Sequence, residues 1–304
     1  MKPHTDRSPW LWPGLVAGAL CASLPAPTVT AAGPDVSPAT ALRARHDAMR
    51  ERLEHSQFQQ RLVLESVDGE HSLASDVYST VDYPLATLSA ALTSPQHWCD
   101  LLILHLNVKY CRPVARGSGS FLSVAIGRKY DQPLDDAYRV EFAFGVAASN
   151  PEYVAVDLDA AKGPLGTTNY RITLEAVALD PGHSFLHLRY SYRYGLEARL
   201  AMDAYLATAG AGKVGFTTVD GADERGPRFI GGMRGAVERN TVRYYLAIDA
   251  YLGTLPAPAA QRFEQSLGRW YDATEHYAHQ LHEVDRATYL AMKRREYLRQ
   301  QQPP

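Results

Sequence analysis

Phe185-Leu186-His187-Leu188-Arg189-Tyr190-Ser191-Tyr192-Arg193-Tyr194 alternates residue by residue between two kinds of side chain. Successive side chains on a strand point to opposite faces, so Leu186, Leu188, Tyr190, Tyr192 and Tyr194 share one side. Phe185, His187, Arg189, Ser191 and Arg193 share the other. Moving upstream, the pattern repeats. Tyr170, Ile172, Leu174 and Ala176 alternate with Arg171, Thr173 and Glu175, and a strand is expected over Tyr153 to Leu158. Before it, Tyr138, Val140, Phe142, Phe144 and Val146 alternate with Arg139, Glu141 and small residues. Phe121 to Lys129 and Val108 to Ala115 complete the run, separated by Gly117-Ser118-Gly119-Ser120. Short turns such as Gly163-Pro164-Leu165-Gly166 join the strands, which predicts an antiparallel meander rather than βαβ units.

Downstream of Gly195 the period becomes helical. A helix is expected from Leu196 to about Thr208, then glycine-rich punctuation with a short strand over Lys213 to Val219. Arg234 to Leu252 is the strongest helix: Tyr244, Ile248, Tyr251 and Leu252 lie on one side, Arg239 and Arg243 on the opposite one. Pro256 and Pro258 end it, and Gln261 to about Arg299 reads as a more polar helical appendage. Upstream of the meander, Ala39 to about Gln57 forms a weakly amphipathic helix on Leu42, Met49 and Leu53, after a Pro/Ala/Thr-rich lead. Strands follow over Gln60 to Val67 and Ser72 to Asp82, joined at Asp68-Gly69. Pro84 opens a helix carrying Leu85, Leu88 and Leu92, since its missing N–H would be unbonded there anyway. A second short helix runs from Gln96 to about Leu104. The class is α+β.

The N-terminus points to export. Lys2 and Arg7 precede an apolar run from Trp10 to Leu24 and the small residues around Ala31 and Ala32, where cleavage is expected. The run is broken by Pro13 and Gly14 and falls short of the ~20 residues that span a bilayer. The expected location is therefore the periplasm or the extracellular space. Cys21 falls within that signal, which leaves Cys99 and Cys111 in the mature chain. Exported proteins keep disulfides, so this pair is expected to tie the second short helix to the following strand; two buried free thiols are the alternative. Two such cysteines lack the spacing of a structural zinc site.

The stretch Asp76-Val77-Tyr78-Ser79-Thr80-Val81-Asp82-Tyr83-Pro84-Leu85-Ala86-Thr87-Leu88 resembles the first strand and helix lead-in of the START-like superfamily, which includes lipid-transfer domains, pollen-allergen proteins and polyketide cyclases. Val108-Lys109-Tyr110-Cys111-Arg112 is similar to its second strand. The resemblance implies a helix-grip fold, a curved antiparallel sheet of about seven strands wrapped on a long C-terminal helix, over residues 60–255. Residues 1–32 would then be the signal, 33–59 a linker and helix, and 256–304 the appendage. It also implies an apolar cavity between sheet and helix, with Tyr244, Ile248 and Tyr251 facing Phe142, Phe144, Tyr190 and Tyr192. Asn240, among the helix tyrosines, could bond a ligand head group. The extra N-terminal strand, the helix and glycine loop before the long helix, and the export signal all depart from that pattern.

Catalytic signals are weak. His276, His279 and His282 recur at three-residue steps that drift around a helix, so a solvated face is expected rather than a metal centre. His97, Asp100 and His105 could support acid–base chemistry only if they converged on a cavity; packing and capping explain them as well. Gly231-Gly232-Met233-Arg234-Gly235 lacks the lysine and spacing of a phosphate loop, and Gly117-Ser118-Gly119-Ser120 lies in a hairpin, not a nucleophile elbow. Tyr outnumbers Phe 18 to 8, which suits amphipathic interiors, and a net charge of −2 without a basic aromatic cluster argues against nucleic acid. The expectation is an exported carrier of a hydrophobic small molecule or lipid, with no cofactor, metal or catalysis. A cyclase-like enzyme and an envelope scaffold that binds a protein partner through its C-terminal helices are the alternatives.

Overall fold

The computed structural model describes residues 36–302 except 209, 224 and 225. The expected export signal and cleavage site lie outside them. Ten strands and eight helices occur among the described residues. The meander comprises β3 (Val108–Arg116), β4 (Gly119–Ile126), β5 (Tyr138–Ser149), β6 (Tyr153–Lys162), β7 (Thr168–Ala178) and β8 (Ser184–Arg193). Before it come α1 (Pro38–Glu54), β1 (Leu62–Gly69), β2 (Ser72–Val81), α2 (Leu85–Leu92) and α3 (Pro95–Leu102). After it come α4 (Leu196–Ala207), β9 (Thr218–Asp223), β10 (Gly226–Phe229) and α5 (Gly232–Leu252), then α6 (Ala259–Glu275), α7 (Ala278–Leu281) and α8 (Arg286–Gln301).

One antiparallel sheet has the order β1-β2-β8-β7-β6-β5-β4-β3, and β9 and β10 form a separate hairpin. Strand β2 crosses to pair with the last strand of the meander, Leu73 opposite Tyr192 and Val77 opposite Leu188. Helix α5 lies on the inner face, where the Tyr245 hydroxyl is 2.9 Å from Ser79 Oγ. This is the helix-grip arrangement, with eight strands rather than about seven because β1 extends the edge beyond β2. The alternation read from the sequence separates the faces as expected: Leu186, Leu188, Tyr190, Tyr192 and Tyr194 are all buried within the main core. The short strand expected over Lys213 to Val219 begins later, as the β9–β10 hairpin.

Cys99 on α3 and Cys111 on β3 form a disulfide across a separation of 12 residues, with Cα atoms 5.1 Å apart. Closing a loop of that size contributes about 3 kcal/mol by restricting the unfolded chain.

The outer face of the sheet is covered in part by α1, which begins where Ser37 Oγ accepts from the Thr40 N–H. Leu42, Met49 and Leu53, the predicted apolar stripe, pack there with Val63, Tyr78, Val177 and Phe185 as a second, smaller core. At its edge lies a charged network. His187 bonds through Nε2 to Asp76 and through Nδ1 to Glu175, each at 2.8 Å, and its ring stacks on Tyr78 at 4.3 Å. Burial pulls the His187 pKa down, but the two carboxylates outweigh it and hold the value above the ordinary one. A raised folded-state pKa stabilises below the unfolded value of about 6.5 and loses that contribution as pH rises through the folded value. Chemical denaturation of wild type and His187→Gln between about pH 5.5 and pH 9 should show the wild-type advantage shrinking as pH rises. A constant gap would mean that His187 acts through packing alone.

The C-terminal helices differ most from the sequence reading. They belong to the same compact unit as the sheet. Leu267, Trp270, Tyr289 and Met292 are at most 1 % exposed. Helix α8 closes the β3 edge: Gln300 Oε1 accepts from the Cys111 N–H at 3.0 Å, and Lys293 Nζ donates to the Val108 carbonyl at 2.7 Å. A free strand edge invites pairing with other chains, and this helix removes that edge. Arg239 and Arg243, on the side of the long helix opposite Tyr244 and Ile248, are buried too: Arg239 donates to the Val214 carbonyl, and α6 and the α7 region cover Arg243. Arg243 donates to the Leu281 carbonyl and to Glu283, the latter at 2.7 Å, while the Trp270 indole donates to the Arg243 carbonyl.

Candidate ligand-binding site

Inward alternation on neighbouring strands brings large aromatic side chains together under α5. Tyr190 and Tyr192 project from β8, and Tyr170 from β7 stacks on Tyr192 at 4.9 Å and meets Tyr190 edge-on at 5.8 Å. The β7–β8 register shifts between Thr168 and Arg171, which sets Tyr170 within a bulge. Such an extra residue bends the strand and re-aims its side chains. From α5, Tyr244 meets Tyr190 at 5.4 Å. His105, in the loop after α3, stacks on the other side of Tyr244 at 4.6 Å. Asn240 lies one helical turn before Tyr244 and, like it, is only partly buried in an otherwise covered helix.

Two polar atoms flank this cluster without partners. Ser75 pairs with Tyr190 across β2 and β8 and is fully buried, yet its Oγ makes no hydrogen bond. His105 is 1 % exposed; its Nδ1 accepts from the Asn107 N–H at 3.1 Å, and its Nε2 makes no hydrogen bond. Burial, together with the cations Arg243, Lys293, Lys129 and Lys109, holds the His105 pKa well below its ordinary value, so the ring is neutral. With Nδ1 accepting, the proton sits on Nε2. Each buried group left unbonded costs about 1–3 kcal/mol, so native interiors rarely keep them without a reason. Burial also pushes the Tyr190 hydroxyl pKa far up, with the Tyr170, Tyr244 and Tyr192 hydroxyls adding to it, which keeps the cluster uncharged.

The residues expected to line one cavity separate into two places. Tyr190, Tyr192 and Tyr244 meet, with Asn240 beside them. Phe142 and Ile248 are buried in the core, and Phe144 is half-buried against it. Tyr251 lies at the far end of α5, 5.8 Å from the His97 ring, with its pKa pushed up to about 12 by burial. His97 is anchored through Nδ1 to the Ala91 carbonyl and Asp100 accepts from Gln96, so neither converges with His105. His282 pairs with Glu275, and His279 packs its ring near Phe229. No cluster of metal-ligating residues occurs among the described residues. Of the candidates His97, Asp100 and His105, only His105 reaches the cluster. Tyr170 and Ser75 join it without having been named as candidates; Tyr170 was legible from its own alternating strand.

Two cavities lie beside the sheet among the described residues, and neither is lined by α5. One, of about 390 Å³, lies beside α1, between His46 and Leu53 of the helix, Thr80 of β2 and His183 of the β7–β8 turn. The other, of about 700 Å³, is bounded by β2, β6, β7 and β8. Tyrosine rings from the sheet and α5 meet where open space between them was expected.

No family model matches the chain, and no curated protein matches it in sequence. Among solved structures it is similar to the Zhui aromatase/cyclase of Streptomyces sp. R1128, at 12 % identity over 66 % of this chain and 94 % of that one, with a TM-score of 0.35. It is also similar to norcoclaurine synthase from Thalictrum flavum in complex with dopamine and hydroxybenzaldehyde, at 15 % identity over 49 % and 80 % with a TM-score of 0.32. Human StAR-related lipid transfer protein 5 is similar at 11 % identity over 54 % and 90 %, with a TM-score of 0.30. The strand order and the gripping helix α5 carry the fold assignment by themselves.

Proposed function

We propose that the protein is an exported, non-catalytic binding or carrier protein for a hydrophobic small molecule, a lipid above all, held between the sheet and α5. One observation supports this reading: Ser75 Oγ and His105 Nε2 are buried on either side of the Tyr190–Tyr244 pair and bond to nothing. A ligand with a carbonyl or hydroxyl group would take the proton of His105 and the hydroxyl of Ser75, while its apolar part parts the rings and replaces their mutual contacts. The tyrosines suit that exchange, since each has an apolar body and a polar tip. Catalysis fits less well. The His105 lone pair is already used by Asn107, and a neutral imidazole N–H is a donor rather than a base.

Ser75→Ala separates this reading from a purely structural one. Removing an unbonded buried hydroxyl should raise the stability of the empty protein by about 1 kcal/mol or leave it unchanged. It should weaken binding of oleate or diolein, followed by intrinsic fluorescence, by about tenfold, the equivalent of one hydrogen bond. His105→Phe should behave likewise, and Tyr251→Phe should bind as wild type. Wild-type protein that binds neither probe, or variants that bind both unchanged, would overturn the assignment.

A further inference from the structure

The 700 Å³ cavity borders the tyrosine cluster at Tyr170 and Tyr192, and its charged residues lie on the outer face of the sheet. Ser191 sits at its centre on β8, two residues from Arg189 on one side and two from Arg193 on the other, so all three share a face. Across the sheet Ser191 pairs with Arg171 on β7 and with Ala74 on β2. Three guanidinium groups therefore surround one hydroxyl over a small-residue floor. Two of them are braced. Arg189 holds Asp76 through Nη1 at 2.7 Å, and Arg171 holds Asp159 through Nε at 2.6 Å. Those bonds fix the side chains yet occupy one nitrogen of each, leaving further donors of the fork. Arg193 is exposed and makes no ion pair among the described residues. Helix α1 covers the adjoining stretch of the face at Tyr78 and Phe185, but contributes nothing to this cavity.

We propose that this cavity is a binding site for a phosphate group, carried by a soluble phosphomonoester or by a lipid head group. The lining holds three arginines and the carboxylate of Asp159, and with Asp76, which Arg189 grips, one positive charge stays in excess, that of exposed Arg193. Guanidinium forks bond phosphate oxygens in pairs, and braced forks lose less freedom on binding than free ones. The volume falls within the ~300–1,000 Å³ of ordinary ligand sites, so it admits more than a bare ion. Tyr170 and Tyr192 border both this cavity and the tyrosine cluster, while its charged groups make no hydrogen bond to Ser75 Oγ or His105 Nε2.

The test uses the whole protein with glycerol 3-phosphate in calorimetry and, separately, flotation with phosphatidylcholine vesicles with and without phosphatidic acid. Arg193→Glu should lose at least tenfold in affinity, because it reverses a charge without breaking an ion pair. Asp159→Asn should bind several-fold more tightly, and Arg139→Glu, exposed on β5, should match wild type. Binding of glycerol 3-phosphate alone identifies a soluble ligand; capture only by phosphatidic acid vesicles identifies a lipid head group. Absence of both, or equal losses in Arg193→Glu and Arg139→Glu, would overturn the proposal.

Discussion

A chain ending at Pro258 should fail to fold. Helices α6 to α8 bury Leu267, Trp270, Tyr289 and Met292 against the sheet and α5, none more than 1 % exposed. At ~1.5–3 kcal/mol for each fully buried large side chain, this removes about 6–12 kcal/mol, comparable with the 5–15 kcal/mol stability of an ordinary domain. Truncation would also open the β3 edge now bonded to Gln300 and Lys293, and uncover the buried Arg243. Far-ultraviolet circular dichroism with a thermal scan should show no cooperative transition, and the product should aggregate. A soluble truncated chain that melts cooperatively would show that these helices are dispensable.

Glu296→Ala should cost about 3–5 kcal/mol, the usual penalty for breaking a buried ion pair from one side. Glu296 is held between two lysines, all three side chains being at most 2 % exposed. Lys293 donates to Glu296 at 2.7 Å, and Lys109 lies 3.0 Å from its other oxygen at an angle that falls short of a hydrogen bond. Burial drives the Lys293 pKa down to about 8 against the pull of Glu296, so both lysines are already held at a cost. Removing the carboxylate leaves two ammonium groups whose remaining acceptors are the Val108 and Leu106 carbonyls and the Met292 sulfur. Urea denaturation should show the midpoint falling with the slope unchanged. Replacing all three by Lys109→Met, Lys293→Met and Glu296→Leu should be near neutral, because the desolvation cost disappears with the charges. A mild effect of Glu296→Ala, or severe loss in the triple variant, would contradict this account.

Period-two alternation made the meander legible, and β2 was legible from the stretch that runs into Pro84. The long helix α5 was legible in extent but not in environment. Its arginines were placed opposite the tyrosine stripe, and the pattern alone did not show that α6 and α7, folding back after Pro258, bury Arg243. The C-terminal helices hid their core because Leu267, Trp270, Tyr289 and Met292 are scattered among charges, and Lys293 and Glu296 look solvent-exposed until each is seen to bond the other. The site was half legible. Tyr190, Tyr192 and Tyr244 followed from facing alternation, whereas their contact with His105 depends on where a loop lands. Tyr251 lies about two turns beyond Tyr244, beside His97, and a helical stripe tells which side a residue faces, not how far along the helix a site extends.

The most direct test is native mass spectrometry of the full chain purified from the cells that make it. The account predicts a retained hydrophobic small molecule on wild-type protein that is lost or much reduced on Ser75→Ala protein, with both folded. Folded wild-type protein at its bare polypeptide mass, with no affinity for oleate or diolein, would contradict the carrier reading.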